Sequence, residues 1–427
     1  MASTFATDTE STIEFLSALF GHKGLENVSF RLWDGRVWPD EKSRPATLVL
    51  KHAGALREML SSGTAKGLGE SYLRDDFDVE GDIESAINVA TVLETRPAGW
   101  LSSLKTFYQL QRLPAGLSGR GSIRTASAID GERHTLARDR QAVQFHYDLS
   151  NQFYRLWLDE HMVYSCAYFT TPDDLLDFAQ QEKLDYICRK LRLNPGEHLL
   201  DIGCGWGGLA LFAARRYGVR VTGVTLSERQ AEWADARVHE AGLSDMVKIE
   251  LRDYRELRSA GAFDAIVSVG MAEHVGREHL PEYFKTVKNL LRAGGVFLNH
   301  AIAEGLRADR FHGPSFVHEY VFPDGDIPPL PIVLQAATAE GFEVRDVENL
   351  REHYTLTLRH WVRRLEAAHE RALAYVDEAT YRVWRLYMAG SAHGFHHGDL
   401  AIYQTLLSKP TPGGDAHLPL RRDDWYR

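Results

Sequence analysis

The chain has 427 residues, of which 49 are basic and 59 acidic, for a formal net charge of −10. That length holds one large domain or two ordinary ones with ample core, and the acidic balance excludes nucleic acid as the main partner, because phosphate binding needs a basic surface. The three cysteines, Cys166, Cys188 and Cys204, form no Cys-x-x-Cys pair, which excludes a disulfide framework and a zinc cage, so no metal is expected.

Met1 to Glu10 has neither a basic n-region nor an apolar h-region, and no later window approaches the roughly 18 apolar residues of a membrane span. The cytoplasm is therefore the default compartment. Residues 11–112 read as mixed α/β. Val28 to Trp33 alternates like a strand, Asp34-Gly35 supplies a hairpin turn, and Arg36–Trp38 and Ala46–Lys51 follow as strands. Ala53 to Ser61 and a segment from about Asp82 are helix-like. Residues 114–134 are rich in Gly, Ser and charge and read as a linker. The expected organisation is an N-terminal unit over 1–115, a linker over 116–135, a second domain over 136–408 and a loosely ordered tail over 409–427. Two short basic stretches, Arg120 to Arg140 and Arg359 to Arg364, read as solvated faces.

Helical segments run to about Phe169, and their aromatic run Phe153, Tyr154, Trp157 reads as core first and ligand wall second. From Leu175 helices and strands alternate regularly. Strands are expected at Glu197–Ile202, Arg220–Val224, Val247–Leu251, Phe263–Val269 and Gly295–His300. Helices are expected at Gly207–Tyr217, Ser227–Ala241 (Ser227 as a cap) and Pro281–Leu291. Such βαβ units imply a parallel sheet with helices on both faces. Glu304 to Pro331 is irregular, and helices follow at about Ile332–Glu340, Tyr354–Ala374 and Tyr381–His396. No internal repeat is present.

The most informative stretch is His198 to Gly208, where an apolar run enters Asp201 and then Gly203, Gly205, Gly207 and Gly208. A strand, a tight turn and a helix start let backbone approach a nucleotide-like ligand closely, and glycine has no Cβ to block it. The pattern resembles the Asp-x-Gly-x-Gly motif of S-adenosylmethionine (SAM) methyltransferases; a plain βα turn is the alternative. In an open α/β sheet, ligands sit beyond the carboxyl ends of the strands. Five such ends converge here: Asp201 to Gly205, Gly223 to Ser227, Arg252 to Tyr254, Ser268 to His274 and Asn299 to Ile302. An acidic residue that would grip ribose hydroxyls is missing at the second end, where Thr225 and Gln230 are a neutral replacement.

Residues 145–169, from Phe-His-Tyr-Asp-Leu-Ser-Asn to Tyr-Ser-Cys-Ala-Tyr-Phe, resemble the signature of cyclopropane-fatty-acyl-phospholipid synthases and their mycolic-acid relatives. Leu-Asp-Ile-Gly-Cys-Gly-Trp-Gly (200–207), Gly-Val-Thr-Leu-Ser (223–227), Glu-His-Val-Gly (273–276), His-Ala-Ile (300–302), Phe-Val-His-Glu-Tyr-Val-Phe-Pro (316–323) and His-Tyr-Thr-Leu-Thr-Leu (353–358) match as well. Gly-Leu-Gly-Glu-Ser-Tyr (67–72) extends the likeness toward the phospholipid-acting branch. The implied fold is α/β, a Rossmann-like class I SAM methyltransferase sheet with a smaller N-terminal α/β domain for lipid docking or dimerisation.

The implied reaction is methylene transfer from SAM to a cis double bond of phospholipid acyl chains, at a membrane surface reached transiently by a peripheral enzyme. The alkene must be held in line with the sulfonium methyl. The resulting cation needs a dry aromatic pocket, and a base must take a proton so that the ring closes. The resemblance implies a bound bicarbonate as that base, with Cys166, Glu273, His300, Tyr354 and the backbone of Ile302 as its ligands. It implies Tyr164, Ser165, Asp201, Gly203, Gly205, Thr225, Leu226, Gln230, Asp253 and Tyr254 on the SAM side. Each has a plainer reading: Cys166 as a small hydrophobe, His300 as a core histidine, Tyr354 as packing. Cys188 reads as core and His274 as a solvent-facing residue. Many relatives carry cysteine where this chain has Ser391, so a thiol there is not required. Two rival functions remain: a SAM-dependent fatty acid methyltransferase making methylene- or methyl-branched chains, and a non-catalytic lipid-binding relative.

Overall fold

The computed structural model describes residues 2–23, 25–94, 108, 110–115, 129–131, 135–147, 149–258, 260–307 and 316–426. The expected linker over 116–135, and most of the basic stretch 120–140, lie largely outside the described residues. Two compact units are present. The first comprises Met1–Thr125, His312–Val321 and Asp377–His393, and the second Ala126–Phe311, Phe322–Val376 and Gly394–Arg427. The first unit thus takes in two segments that the sequence reading assigned to the domain over 136–408.

The first unit holds a four-stranded sheet of β1 (Val28–Arg31), β2 (Val37–Trp38), β3 (Ala46–Leu50) and β4 (Phe77–Gly81), in the order β2-β1-β3-β4. In β3 every second residue, Ala46, Leu48 and Leu50, is buried, as a half-buried strand requires. The helix Glu378–His397 joins this unit through two buried guanidinium groups. Arg382 donates to the Tyr72 carbonyl at 2.8 Å and pairs with Asp75 at 2.8 Å, and Arg385 donates to the Tyr72 hydroxyl at 2.9 Å. Buried guanidinium donors need such acceptors, which is why this distant segment belongs here.

The second unit is built on a seven-stranded sheet: β5 (His198–Ile202), β6 (Arg220–Thr225), β7 (Val247–Leu251), β8 (Phe263–Val269), β9 (Leu291–Glu304), β10 (Glu343–Asn349) and β11 (Leu400–Ser408), ordered β10-β11-β9-β8-β5-β6-β7. The first five were expected from sequence, but β10 and β11 were not. β11 runs antiparallel to both β9 and β10, so the sheet is mixed rather than parallel. Alternate residues feed opposite faces. Leu199, Val267, Leu298 and Leu406 join one core with the helices Leu176–Leu191 and Gly208–Tyr217. Leu200, Ile266, Phe297 and Leu407 join the other with Leu280–Leu290 and Leu330–Ala339. Phe153, Tyr154 and Trp157 are fully buried, and Cys188 is core as expected.

The segment after β11 is docked rather than loose. Trp425 is 2 % exposed in the first of these cores, with Lys190, Arg192 and Arg422 each 5.0–5.6 Å from its ring. Lys409 Nζ donates to the carbonyls of Lys288 and Leu291. Removing a buried indole leaves a large cavity, so Trp425→Ala should destabilise the second unit by about 3–5 kcal/mol in urea denaturation. An unchanged midpoint would show that the segment is not docked in solution.

Candidate active site

The turn after β5 places Gly203, Gly205 and Gly207 at φ of +79°, +54° and +81°, a region that excludes most side chains. At Gly208 a Cβ would lie 2.6 Å from the His161 carbonyl. The amides of Gly203 and Cys204 donate to the Val224 carbonyl at 2.9 and 3.0 Å, pinning the turn to β6. Beyond the carboxyl ends of the strands lies a cavity of about 420 Å³.

All the residues expected on the SAM side border this one cavity. Tyr164, Ser165, Asp201, Gly203 and Gly205 line it from the β5 side. Thr225, Leu226, Gln230, Asp253 and Tyr254 line it from β6 and β7. Thr225 Oγ1 donates to Gln230 Oε1 at 2.8 Å, and Ser227 caps the helix Glu228–Glu240. Asp253 is 4 % exposed and is bound by Arg255, which also pairs with Asp139 at 2.8 Å and lies 5.7 Å from the Tyr254 ring. His274, read as solvent-facing, also lines the cavity and sits 5.8 Å from the Phe322 ring. The 3-10 turn Ala272–His274 after β8 directs it inward.

A wall residue that sequence reasoning missed is Lys183, on the helix Leu176–Leu191. Its ammonium donates to Ser165 Oγ at 2.9 Å, and the residue is 1 % exposed. Burial lowers its pKa to about 8, against the pull of Asp159, Cys166 and Asp201. The signal was present: Lys183 and Lys190 fall on the apolar stripe with Leu184, Ile187 and Leu191, where a solvated lysine has no place. Asp201 is raised to about 7 by burial, partly opposed by Lys183.

Cys166, Glu273, His300, Ile302 and Tyr354 do not line that cavity; they gather beside it. Backbone contacts join the two: the amide of Gly270, a lining residue, donates to the His300 carbonyl at 2.9 Å, and Cys166 follows Ser165 directly. The Leu350 carbonyl receives the Cys166 thiol at 3.7 Å and the Tyr354 amide at 3.0 Å. The Leu350 amide donates to Ile402, the residue opposite Ile302 in the β11–β9 ladder. Glu273 Oε1 accepts from the Ile302 amide at 2.7 Å, so that N–H, expected to face an anion, is already engaged. Tyr354 is buried, 4.7 Å from the Phe395 ring.

Two polar atoms in this group, Glu273 Oε2 and His300 Nε2, are buried with no partner among the described residues. Such atoms call for a ligand or a proton-handling role. Glu273 is half-buried as a residue but enclosed at its carboxyl, and burial raises it to about 7. Burial and the charges of Lys183 and Lys190 hold His300 well below the usual imidazole range. The Gln404 side-chain amide lies 3.4 Å from His300 Nδ1 and engages that side of the ring. Burial pushes the Cys166 thiol up, so it is neutral. Among the described residues, no group of His, Cys, Asp and Glu is arranged to hold a metal ion.

Residues 134–405 match the family model described as mycolic acid cyclopropane synthetase. A "Probable fatty acid methyltransferase" of Pseudomonas putida is 41 % identical over 404 residues, 94 % of this chain and 96 % of the relative. The cyclopropane-fatty-acyl-phospholipid synthase of Escherichia coli (strain K12) is 34 % identical over 380 residues, 87 % and 90 % of the two chains. The crystal structure of mycolic acid cyclopropane synthase CmaA1 complexed with SAH and CTAB superposes with a TM-score of 0.60 at 36 % identity, covering 63 % of this chain and 97 % of that one.

Because Glu273 and Asp201 hold their protons more tightly folded than unfolded, the native state is favoured most below the ordinary carboxylate range and loses stability as pH rises toward 7. Glu273→Gln keeps an acceptor for the Ile302 amide and removes one of these titrations. Urea denaturation from pH 4.5 to 7 should show a shallower loss for the variant; equal slopes would refute the buried, proton-retaining Glu273.

Proposed function

The chain belongs to the mycolic acid cyclopropane synthetase family, and on that premise we propose that it moves a methylene unit from SAM to the cis double bond of an unsaturated phospholipid acyl chain, closing a cyclopropane ring. The observation that carries this reading is the glycine-floored cavity together with two buried polar atoms beyond its wall, Glu273 Oε2 and His300 Nε2, that find no partner among the described residues. The relatives named as a cyclopropane-fatty-acyl-phospholipid synthase and as a cyclopropane synthase complexed with SAH support it.

SAM supplies an electrophilic methyl group on a sulfonium. The chain's part is to hold, enclose and deprotonate. Thr225, Gln230 and Asp253 offer hydrogen bonds to ligand hydroxyls, and the turn through Gly203 and Gly205 permits backbone approach. Tyr164 lines the cavity and is backed by Trp361 at 5.2 Å and Trp157 at 5.4 Å, so an aromatic ring, the kind of group that stabilises positive charge, borders it. Attack by the alkene leaves a carbocation on the acyl chain, and loss of a proton from the new methyl group closes the ring. Water must be kept out of that interval.

The orphaned Glu273 Oε2 and His300 Nε2 fit a small hydrogen-bonding anion. Bicarbonate, held there by Glu273, His300, Cys166 and Tyr354, would supply the base. Ile302 would serve it through Glu273, whose carboxyl its amide orients. The substrate sits in a bilayer, so the enzyme docks on a membrane surface from the cytoplasmic side; no described helix is long and apolar enough to cross a membrane.

A second reading, a SAM-dependent fatty acid methyltransferase giving methylene- or methyl-branched chains, is favoured by the name of the Pseudomonas putida relative. It shares the first step and differs in where the proton leaves. Purified protein given SAM and vesicles of monounsaturated phospholipid should yield S-adenosylhomocysteine and lipid one methylene heavier. A product surviving catalytic hydrogenation is the ring; a product saturated by it is the exo-methylene. Acyl binding without S-adenosylhomocysteine would leave a lipid carrier and overturn both. His300→Ala should lower kcat by about 10²–10⁴-fold with KM for SAM little changed.

A further inference from the structure

Lys183 makes one hydrogen bond, to Ser165 Oγ at 2.9 Å, and no carboxylate lies within ion-pair distance of its ammonium among the described residues. An ammonium has three donors, and burying it without a counter-charge is costly. The residue nonetheless lines the cavity beside Ser165 and Asp201, so its charge and its two unused donors lie at the cavity wall. Asp201 is its counterpart. It is 2 % exposed, lines the same cavity, and its carboxylate accepts no hydrogen bond among the described residues. The two side chains feel each other's charge but are not paired. A cavity wall with an ammonium that makes one hydrogen bond and a carboxyl that accepts none among the described residues at the β5 end, and neutral hydroxyl-binding groups at the β6 end, is complementary to a ligand carrying a zwitterionic amino-acid tail on a nucleoside.

We propose that Lys183 is a binding residue for the carboxylate of the ligand's amino-acid tail, with Asp201 taking the opposite, ammonium pole and Ser165 held in place by the same lysine. This rests on the reading of the cavity as a SAM site and names the group that orients the tail. The tail is far from the transferred methyl yet sets the direction of the sulfonium, so the lysine also contributes to aligning the reacting bond. A lysine suits this better than an arginine. Its compact ammonium fits beside Ser165, and it reaches the cavity from the helix Leu176–Leu191.

The test compares S-adenosylhomocysteine with its decarboxylated analogue by titration calorimetry, on wild type and on Lys183→Met, with circular dichroism and a thermal melt as fold controls. The wild type should prefer the carboxylate-bearing ligand by roughly 10- to 100-fold, the worth of one charge-assisted hydrogen bond. Lys183→Met should lose that preference while binding the decarboxylated analogue as the wild type does. A wild type without preference overturns the proposal whether or not the variant folds, and a variant that keeps the preference overturns it too. If the variant's defect appears only when bicarbonate is added to carbonate-free buffer, the ammonium serves the small anion and the proposal fails. A wild type binding neither nucleoside refutes the SAM-site reading itself, a separate outcome.

Discussion

The register of β11 against β9 holds the site together. Nine consecutive pairs, from Leu400 opposite Glu304 to Ser408 opposite Val296, set which residue meets which. Gln404 faces His300 and orients its ring. Ile402 lies opposite Ile302 and receives the Leu350 amide, whose carbonyl in turn holds the Cys166 thiol and starts the helix that carries Tyr354. Because side chains alternate along a strand, a slip of β11 by one residue would turn Gln404 into the opposite core and take the Ile402 carbonyl away from the Leu350 amide. The buried residues on both faces, such as Leu406 and Leu407, make that slip costly, since each would have to cross to the other side of the sheet.

Burial then sets the charge state of the groups that the register gathers. The cluster beside the cavity consists of a neutral thiol, a neutral imidazole and a carboxyl held near pH 7, all raised or lowered mainly by desolvation. Such a set can donate hydrogen bonds to a small anion without a formal charge of its own. Of the two lysines whose charge reaches His300, Lys183 is tied to Ser165 on the cavity side.

The same helix that supplies Lys183 also supplies Lys190, which is fully buried, pairs with Glu348 and Asp346 of β10 and lies 4.5 Å from the Tyr186 ring. One element therefore fastens the outer strand and, through Trp425, the C-terminal segment, while presenting its other lysine to the cavity. Rigidity at the sheet edge and position at the site come from two residues seven apart on one helical stripe.

Much of this was legible from sequence because it is local. The glycine turn, the alternating apolar strands β5 to β9 and the aromatic signature around Cys166 are contiguous patterns; of the five strand ends expected on one crevice, four border the cavity and the fifth, Asn299 to Ile302, does not. The residues named for the nucleoside side do border one cavity. What sequence did not reveal depends on partners distant in the chain. β10 and β11 lack a clean alternation of their own; β11 is set by pairing with β9, and β10 in turn by pairing with β11. Trp425 reads as tail until Lys190, Arg192 and Arg422 surround it. His274 reads as a surface residue until the turn after β8 aims it inward, and the Ile302 amide is spoken for by a carboxylate 29 positions away. Local periodicity determines which segments are helix or strand; only the closed sheet decides which buried polar atoms find each other and which are left waiting for a ligand, because desolvation acts on neighbours in space.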